Sequence, residues 1–298
     1  LSIFVGEELE QIIDAIISDT DYKGAKAGVM DLGIPSIPTF RKDTTDRNRT
    51  SPLAFTGNKF EFRMVGSSDS VAMANTVICT AMAEAFREAA DALEGSQDMD
   101  YAAREYAKSK WQCHKRVVFN GDCYSEEWAA EAKKRGLPEL RGMVDAIGTL
   151  ETEKTAALFE SHRVLSRREL QSRAEVLYES YAKRLRIEAR VMLHMVGKDY
   201  IPAVIGYLGK LDRSEPVQRQ MYEKIAGLLA QVSDLREDLE RQTNLADGQR
   251  AAKLAAEAFR SQVVPVMTAL RTAVDSLEML VGRQSWPVPT YGDLMFEV

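Results

Sequence analysis

The amino-acid sequence changes character near residue 70, and this change constrains the fold more than any other feature. Before it, the chain is rich in Gly, Pro, Thr and Asn, and its apolar runs are short, which is typical of strands, turns and loops. After it, residues that favour helices dominate almost to the end. The sequence therefore predicts an α+β chain, in which N-terminal strands and a hairpin are followed by a bundle of long helices.

Capping residues indicate where the helices of the second part begin. Ser125 is expected to cap one helix, and Pro138 to open the next. Ser166 and Glu169 have the spacing of a capping box, which predicts a helix that ends at about Met195, before Gly197. Further helices are expected over 71–93, 100–118 and 214–241, with a last long helix capped by Asp247.

Apolar residues recur every three or four positions along these helices. Over 214–241 the steps mostly alternate between four and three, as in a coiled-coil seam formed by Met221, Ile225, Leu228, Val232, Leu235 and Leu239. The last long helix continues in the same style, with a kink expected at Pro265. The helix over 71–93 carries a stripe formed by Val77, Ile78, Ala81, Met82, Ala85, Phe86 and Ala89. Stripes of this kind usually form a core, so their burial is predicted.

The segment 59–63 alternates charged and aromatic residues with a period of two, as a β-strand does. Phe60 and Phe62 are expected to point into a core, and Lys59, Glu61 and Arg63 to lie on the other side, roughly 7 Å apart. A carboxylate between two cations suits a polyanion that binds with a metal ion. The same pattern is also typical of a solvated hairpin face with cross-strand ion pairs.

Gly57 and Asn58 precede this strand and form a two-residue signal for a β-hairpin. The neighbouring strand would then follow Arg49, which the hairpin would bring near the charged side of the segment 59–63.

Composition excludes several classes of function. The net charge of −6 and the isoelectric point of about 5.4 provide no basic surface for nucleic acid or for anionic lipid. No apolar run approaches the roughly 20 residues of a membrane span. The three cysteines lack metal-ligand spacing and form no even disulfide set, which favours a reducing cytoplasm. Because the chain begins with Leu1 in a strand-like run, it is expected to be a fragment of a longer protein.

The segment 21–63 resembles the C-terminal part of the catalytic domain of glutamine synthetases, specifically of the long type III class. Residues 48–50 (Asn-Arg-Thr) resemble the family's Asn-Arg-Ser/Thr element, and 59–63 resemble its basic-x-Glu-x-Arg strand. The resemblance continues through 119–122, 124–128 and 286–294. It implies three parts, namely the end of the catalytic domain over 1–120, a helical-bundle extension over 121–284, and an extended tail over 285–298.

The resemblance also implies roles for individual residues. Glu61 aligns with a glutamate that binds Mg²⁺ or Mn²⁺, and Arg63 with an arginine at the phosphoryl and γ-carboxylate end of the site. Arg49 aligns with an arginine that binds the phosphate groups of ATP, and Lys59 occupies a basic position on the nucleotide side. Arg49 and Arg63 are therefore the expected catalytic residues, Arg49 and Lys59 the nucleotide-binding ones, and Glu61 the metal ligand.

The implied activity is ATP-dependent ligation of ammonia to glutamate through γ-glutamyl phosphate, with ATP as substrate. The resemblance also implies a cytoplasmic protein that forms a ring-based homo-oligomer, a dodecamer. The family's other metal ligands and its substrate-binding arginine region are expected upstream, so the chain should be inactive alone. Two alternatives remain open. One is a related γ-glutamyl carboxylate–amine ligase that uses a polyamine, and the other is a non-catalytic helical assembly module.

Overall fold

The structure is a computed structural model that describes residues 2–22, 29–30, 38, 40–41, 50–57, 59–64, 66 and 68–296. The chain divides into two compact units. The first unit comprises Leu1–Leu140 with Ser161–Val164, and the second comprises Arg141–Glu160 with Leu165–Val298. The chain is mostly helical and has a small three-stranded sheet, in agreement with the predicted α+β class. The domain boundaries at 120 and 284 stay predictions.

The sheet belongs to the first unit and has the strand order β1–β4–β5. Its strands are Ile3–Phe4 (β1), Leu53–Phe55 (β4) and Phe60–Phe62 (β5). Strand β1 runs parallel to β4, and β4 runs antiparallel to β5. A separate antiparallel pair joins Val29–Met30 (β2) to Phe40–Arg41 (β3).

The predicted hairpin between β4 and β5 is confirmed. The Thr56 amide donates a hydrogen bond of 2.8 Å to the Lys59 carbonyl, which closes the turn. Gly57 has a φ of 92°, a conformation that residues with a side chain rarely adopt. Asn58, the other residue of the turn signal, lies outside the described residues.

The predicted burial of Phe60 is wrong. Phe60 is 55% exposed, and its ring lies against that of Phe55 with 5.2 Å between the centroids. The strand register explains the difference, because Phe4, Ala54 and Glu61 lie in one row across the sheet, and Phe4 and Ala54 are fully buried. The better-covered face of the sheet is therefore the one that carries Glu61, while Phe62, on the opposite face, is only half-buried.

The helices of the first unit are Glu7–Ile17 (α1), Ala72–Leu93 (α2), Met99–His114 (α3) and Glu126–Lys134 (α4). Helix α2 begins where predicted, since the Ser70 hydroxyl accepts a hydrogen bond from the Ala72 amide. Its apolar stripe is not buried as predicted, because Val77, Met82 and Phe86 are 39% to 68% exposed. Helix α2 packs against α3, and this contact leaves the stripe uncovered by the described residues.

The segment after α3 connects α4 to the start of the sheet. The Asn120 side-chain oxygen accepts hydrogen bonds from the amides of Val5 and Gly6, which end β1 and precede α1. Phe119 stacks on Trp128, with 4.4 Å between the ring centroids. The Ser125 hydroxyl caps α4 as predicted, by accepting a hydrogen bond from the Trp128 amide.

The helices of the second unit enclose the main core. They are Met143–Gly148 (α5), Glu153–Ser161 (α6), Arg167–Met195 (α7), Ile201–Leu208 (α8), Pro216–Asp247 (α9), Ala252–Ala258 (α10), Val264–Glu278 (α11) and Tyr291–Phe296 (α12). The predicted seam of α9 is confirmed, because Ile225, Val232 and Leu239 are fully buried against α11 residues such as Leu270 and Leu277.

Two of these helices continue through π-helical turns. The capping box of Ser166 and Glu169 is confirmed, but the helix it starts continues through Val196–Tyr200 into α8, so the stop predicted before Gly197 is wrong. The second π-helical turn, Phe259–Val263, precedes α11 and provides the irregularity expected at Pro265, whose nitrogen cannot donate a hydrogen bond.

Other predicted boundaries also differ from the structure. Pro138 does not open a helix, and the next one begins at Met143. Asp247 does not cap the last long helix, because it ends α9, where its carboxylate accepts hydrogen bonds from Arg186 and Arg190. These two cations offset the unfavourable placement of a negative charge at a helix C-terminus.

The C-terminal segment packs back on its own unit through Trp286. Trp286 is buried in the main core and lies 5.1 Å from the Tyr200 ring, measured between centroids. The segment is not extended throughout, because Tyr291–Phe296 is helical. Its start is capped by Thr290, whose hydroxyl accepts a hydrogen bond from the Asp293 amide. None of the helices that the structure describes is long and apolar enough to cross a membrane.

Candidate phosphate and metal site

The structure brings Lys59, Glu61 and Arg63 together on one side of β5. Lys59 Nζ lies 3.2 Å from Oε1 of Glu61. Arg63 binds the other carboxylate oxygen, with Nη2 at 2.9 Å and Nε at 3.3 Å from Oε2. The two cations therefore approach the carboxylate from its two oxygens, and the cluster carries a net positive charge.

Strand β5 presents this cluster to solvent because it is the outer strand of the sheet β1–β4–β5. The residue opposite Glu61 in the register is Ala54, whose methyl group is too short to cover the carboxylate. The Glu61 side chain is 37% exposed, Arg63 is more buried than Glu61, and Lys59 is more exposed. A ligand from solvent can thus reach all three groups.

The two cations determine the protonation state of Glu61. Hydrogen bonds from Arg63 and then from Lys59 lower the pKa of the Glu61 carboxyl, against a smaller opposing effect of desolvation. Glu61 is therefore an anion at neutral pH. An ionised carboxylate of this kind can bind a metal ion in place of one of its two cationic partners. The Lys and Arg side chains can then bind the phosphate oxygens of a ligand.

Thr56 is a member of this cluster that the sequence interpretation missed. Its hydroxyl lies 3.5 Å from Oε1 of Glu61 and 3.4 Å from the Lys59 carbonyl. The signal was present in the pattern, because Thr56 lies two residues after Ala54 and so shares the side of the hairpin that carries Glu61.

Arg49, the remaining predicted site residue, lies outside the described residues. Among the residues that the structure does describe, no group of three or more His, Cys, Asp or Glu side chains could hold a metal ion. Glu61 can therefore supply one metal ligand, and no described neighbour completes the set.

The sequence of this chain is similar to proteins of known family. Residues 102–219 match the family described as the glutamine synthetase C-terminal domain. The resemblance to glutamine synthetases is confirmed. The chain is 36% identical to the type-3 glutamine synthetase of Dictyostelium discoideum over 99% of its residues. It is 32% identical to the glutamine synthetase of Butyrivibrio fibrisolvens and 31% identical to that of Bacteroides fragilis, over 100% and 99% of its residues.

The similarity includes the part of the chain that carries β5, although the match to the C-terminal domain begins later, within α3. The chain covers only 43% to 44% of the length of these relatives.

Proposed function

We propose that this chain contributes part of the active site of a glutamine synthetase, which activates glutamate with ATP and lets ammonia displace phosphate. The observation that carries the proposal is the convergence of Lys59 and Arg63 on the ionised Glu61 carboxylate at an accessible strand. The similarity of the whole chain to glutamine synthetases supports it. The activity is proposed for a protein that contains this chain together with the remaining length of its relatives.

Glu61 is proposed as a ligand of Mg²⁺ or Mn²⁺. These hard cations prefer carboxylate oxygens, and the lowered pKa of Glu61 keeps its oxygens ionised at neutral pH. Among the described residues, Glu61 can supply one ligand to the metal, and the other ligands would come from outside the described residues. When bound, the metal would neutralise charge on the phosphate oxygens.

Arg63 is proposed to stabilise the phosphoryl group during its transfer. Its guanidinium contacts Glu61 through Nε and Nη2, which fixes the guanidinium plane beside the carboxylate. A guanidinium stays charged and can bind two phosphate oxygens at once, so it suits the charge that spreads in the transition state. Arg49 is proposed, on the resemblance of residues 48–50, to bind the ATP phosphates and share this catalytic role.

Lys59 is proposed to contact the nucleotide side of the site. Its ammonium lies at the outer end of the cluster and is largely exposed. A compact charge on a flexible stem can follow a phosphate without a fixed geometry, which distinguishes its role from that of Arg63.

The same similarity supports glutamate, ammonia and ATP as the small-molecule partners. A ring-based homo-oligomer, a dodecamer, in the cytoplasm is proposed on the family resemblance alone. Analytical ultracentrifugation of the protein that contains this chain tests the oligomer, and a sedimenting monomer would contradict it.

The activity is tested by following isotope-labelled glutamate in the complete protein with ATP, Mg²⁺ and either ammonia or a polyamine. Labelled glutamine formed only with ammonia supports the proposal. A γ-glutamyl polyamine product would instead assign the related ligase activity. No ATP-dependent product with either amine would favour a helical assembly module.

A matched pair of variants tests the site. Glu61→Gln removes the charge at β5 and should reduce kcat by about a hundredfold or more, since one charge-stabilising group is worth that much in comparable sites. Glu131→Gln is the control, because Glu131 also binds an arginine, Arg135, and has a 36% exposed side chain. Equal activity of the two variants, both folded, would contradict the assignment of Glu61.

A further inference from the structure

The second unit contains a cavity of about 530 Å³ between α7, α11 and the C-terminal segment. This volume lies within the range of small-molecule sites, which is roughly 300–1,000 Å³. Most of its lining is apolar, and it includes Met192, Met195, Met267, Val274, Val288 and Leu294. None of the lining residues belongs to β5.

The floor of the cavity is part of the main core. Val196, Leu270 and Val274 line it and are buried in that core, so the apolar surface is held in place whether or not a ligand is bound. Ile187 and Val191 lie one helical turn apart on α7 and are 54% and 51% exposed, which places them at the opening. A ligand can therefore enter past α7 and bury an apolar body against a preformed floor.

The charged lining is acidic. Arg271 and Asp275 line the cavity as an ion pair, with 2.7 Å between Nε and Oδ1. Glu188 on α7 and Glu278 at the end of α11 also line it, and neither forms an ion pair with any residue that the structure describes. Two carboxylates without an ion-pair partner among the described residues thus line the same cavity as the apolar floor.

Part of the cavity wall comes from the two ends of a π-helical turn, Val196–Tyr200, since both Val196 and Tyr200 line the cavity. Single π-helical turns inside α-helices are often found at functional sites. Burial, followed by the charge of Glu278, raises the pKa of Tyr200, so its hydroxyl is neutral at physiological pH. The Tyr200 ring is braced by Trp286, which gives the wall a fixed orientation.

We propose that this cavity binds a small organic cation, in which an apolar body fills the floor and an ammonium group lies between Glu188 and Glu278. Charge complementarity selects this ligand, because an anion would meet two carboxylates and a neutral compound would leave them without a partner. The Tyr200 ring adds a surface on which a cation is also favoured.

A set of three probes with one apolar body tests the proposal on the 298-residue chain. The probes are 4-phenylbutylammonium, 4-phenylbutanol and 4-phenylbutyrate, and binding is measured by isothermal titration calorimetry at low ionic strength. The ammonium compound should bind tightest and the carboxylate weakest. The dissociation constants of successive compounds should differ by roughly twofold to fivefold for each carboxylate contacted, as for exposed ion pairs. This difference in affinity should shrink as salt is added.

Two pairs of variants locate the site. Val191→Trp should block the opening and abolish binding, whereas Val176→Trp places the same side chain at another exposed valine of α7 and should leave binding unchanged. The double variant Glu188→Gln, Glu278→Gln should bind the ammonium and the alcohol equally. Glu179→Gln, an exposed glutamate of α7 outside the cavity, is its control.

Four results would overturn the proposal: no probe binds, all three bind equally, Val191→Trp leaves binding intact, or the glutamate variants retain the preference for the cation. A self-association of the chain that Val191→Trp abolishes, with no binding of the ammonium probe, would assign this surface to a second copy of the chain instead. Each of these outcomes is read from binding alone and does not depend on the proposed enzyme activity.

Discussion

The two units carry apolar stripes of the same style, and only one of them is buried by the residues described. In the second unit, Val232 and Leu239 of α9 lie fully inside a core completed by α11. In the first unit, Met82 and Phe86 of α2 lie mainly in solvent. A regular stripe therefore predicts a helix and the orientation of its apolar face, but it carries no information on which part of a protein covers that face.

The largest expected effect distinguishes a buried stripe from an exposed one. Leu239→Ala should lower the free energy of unfolding of the second unit by about 2–5 kcal/mol, because it leaves a cavity in a close-packed core. Phe86→Ala should lower that of the first unit by less than about 1 kcal/mol, because the ring is already mostly hydrated. Urea unfolding followed by circular dichroism measures both, and an equally large cost for Phe86→Ala would show that α2 is covered after all.

Hydrogen exchange sharpens the same comparison along the whole chain. Amides in the middle of α9 should exchange only through global unfolding of the second unit, since their helix is enclosed by packed neighbours. Amides of α2 and α3 should exchange faster through local opening, because these helices bury few side chains. Mass spectrometry of peptic peptides reports the two rates, and equal protection in both regions would contradict the proposed difference.

Two glycines of the second unit test how closely its helices pack. A Cβ at Gly197 would lie 2.9 Å from Nε of Arg236, so Gly197→Ala should destabilise the fold by about 1 kcal/mol through the shift it forces. A Cβ at Gly227 of α9 meets nothing within 4 Å, so Gly227→Ala should stabilise it by about 0.5–1 kcal/mol. Thermal denaturation compares the two, and a stabilising Gly197→Ala would show that Arg236 is free to move.

The smallest expected effect concerns the charge cluster of the first unit. Arg63→Gln should raise the pKa of Glu61, because the hydrogen bond from Arg63 is the largest cause of its lowering. In the wild type, the lowered pKa of Glu61 adds to the free energy of unfolding. This contribution is fully present above the ordinary pKa of glutamate, and it is lost as the pH falls through the lowered pKa of Glu61. Carboxyl ¹³C NMR titration measures the shift, and an unchanged Glu61 pKa in Arg63→Gln would contradict the assigned cause.

Much of the local structure was predictable from sequence, for reasons that particular residues make clear. The capping box at Ser166 and the hairpin at Gly57 are local patterns whose chemistry is complete within a few residues. The continuation of α7 past Gly197 was not predictable from local signals, because a glycine there indicates a helix end, whereas Val196 of the π-helical turn is buried in the main core by residues distant in sequence. The exposure of Phe60 depends in the same way on which face of the sheet other strands bury.

In the candidate site, too, some features were predictable from the local sequence and others depended on residues distant in sequence. The period of two predicted that Lys59, Glu61 and Arg63 share a side of β5, and the structure brings them together. The contact of Thr56 with Glu61 required the hairpin register, which the spacing of charged residues alone does not specify. The cavity of the second unit was not predicted, because its lining combines distant helices and a tail segment.

The side of β5 that carries Glu61 is proposed to help hold a divalent cation with nucleotide phosphates. Titration of Mn²⁺, in the presence of a non-hydrolysable ATP analogue, into the complete protein and followed by electron paramagnetic resonance tests it most directly. Glu61→Gln should weaken Mn²⁺ binding by about tenfold or more, while Glu131→Gln leaves it unchanged. Identical Mn²⁺ affinity in the wild type and in a folded Glu61→Gln variant would contradict the claim.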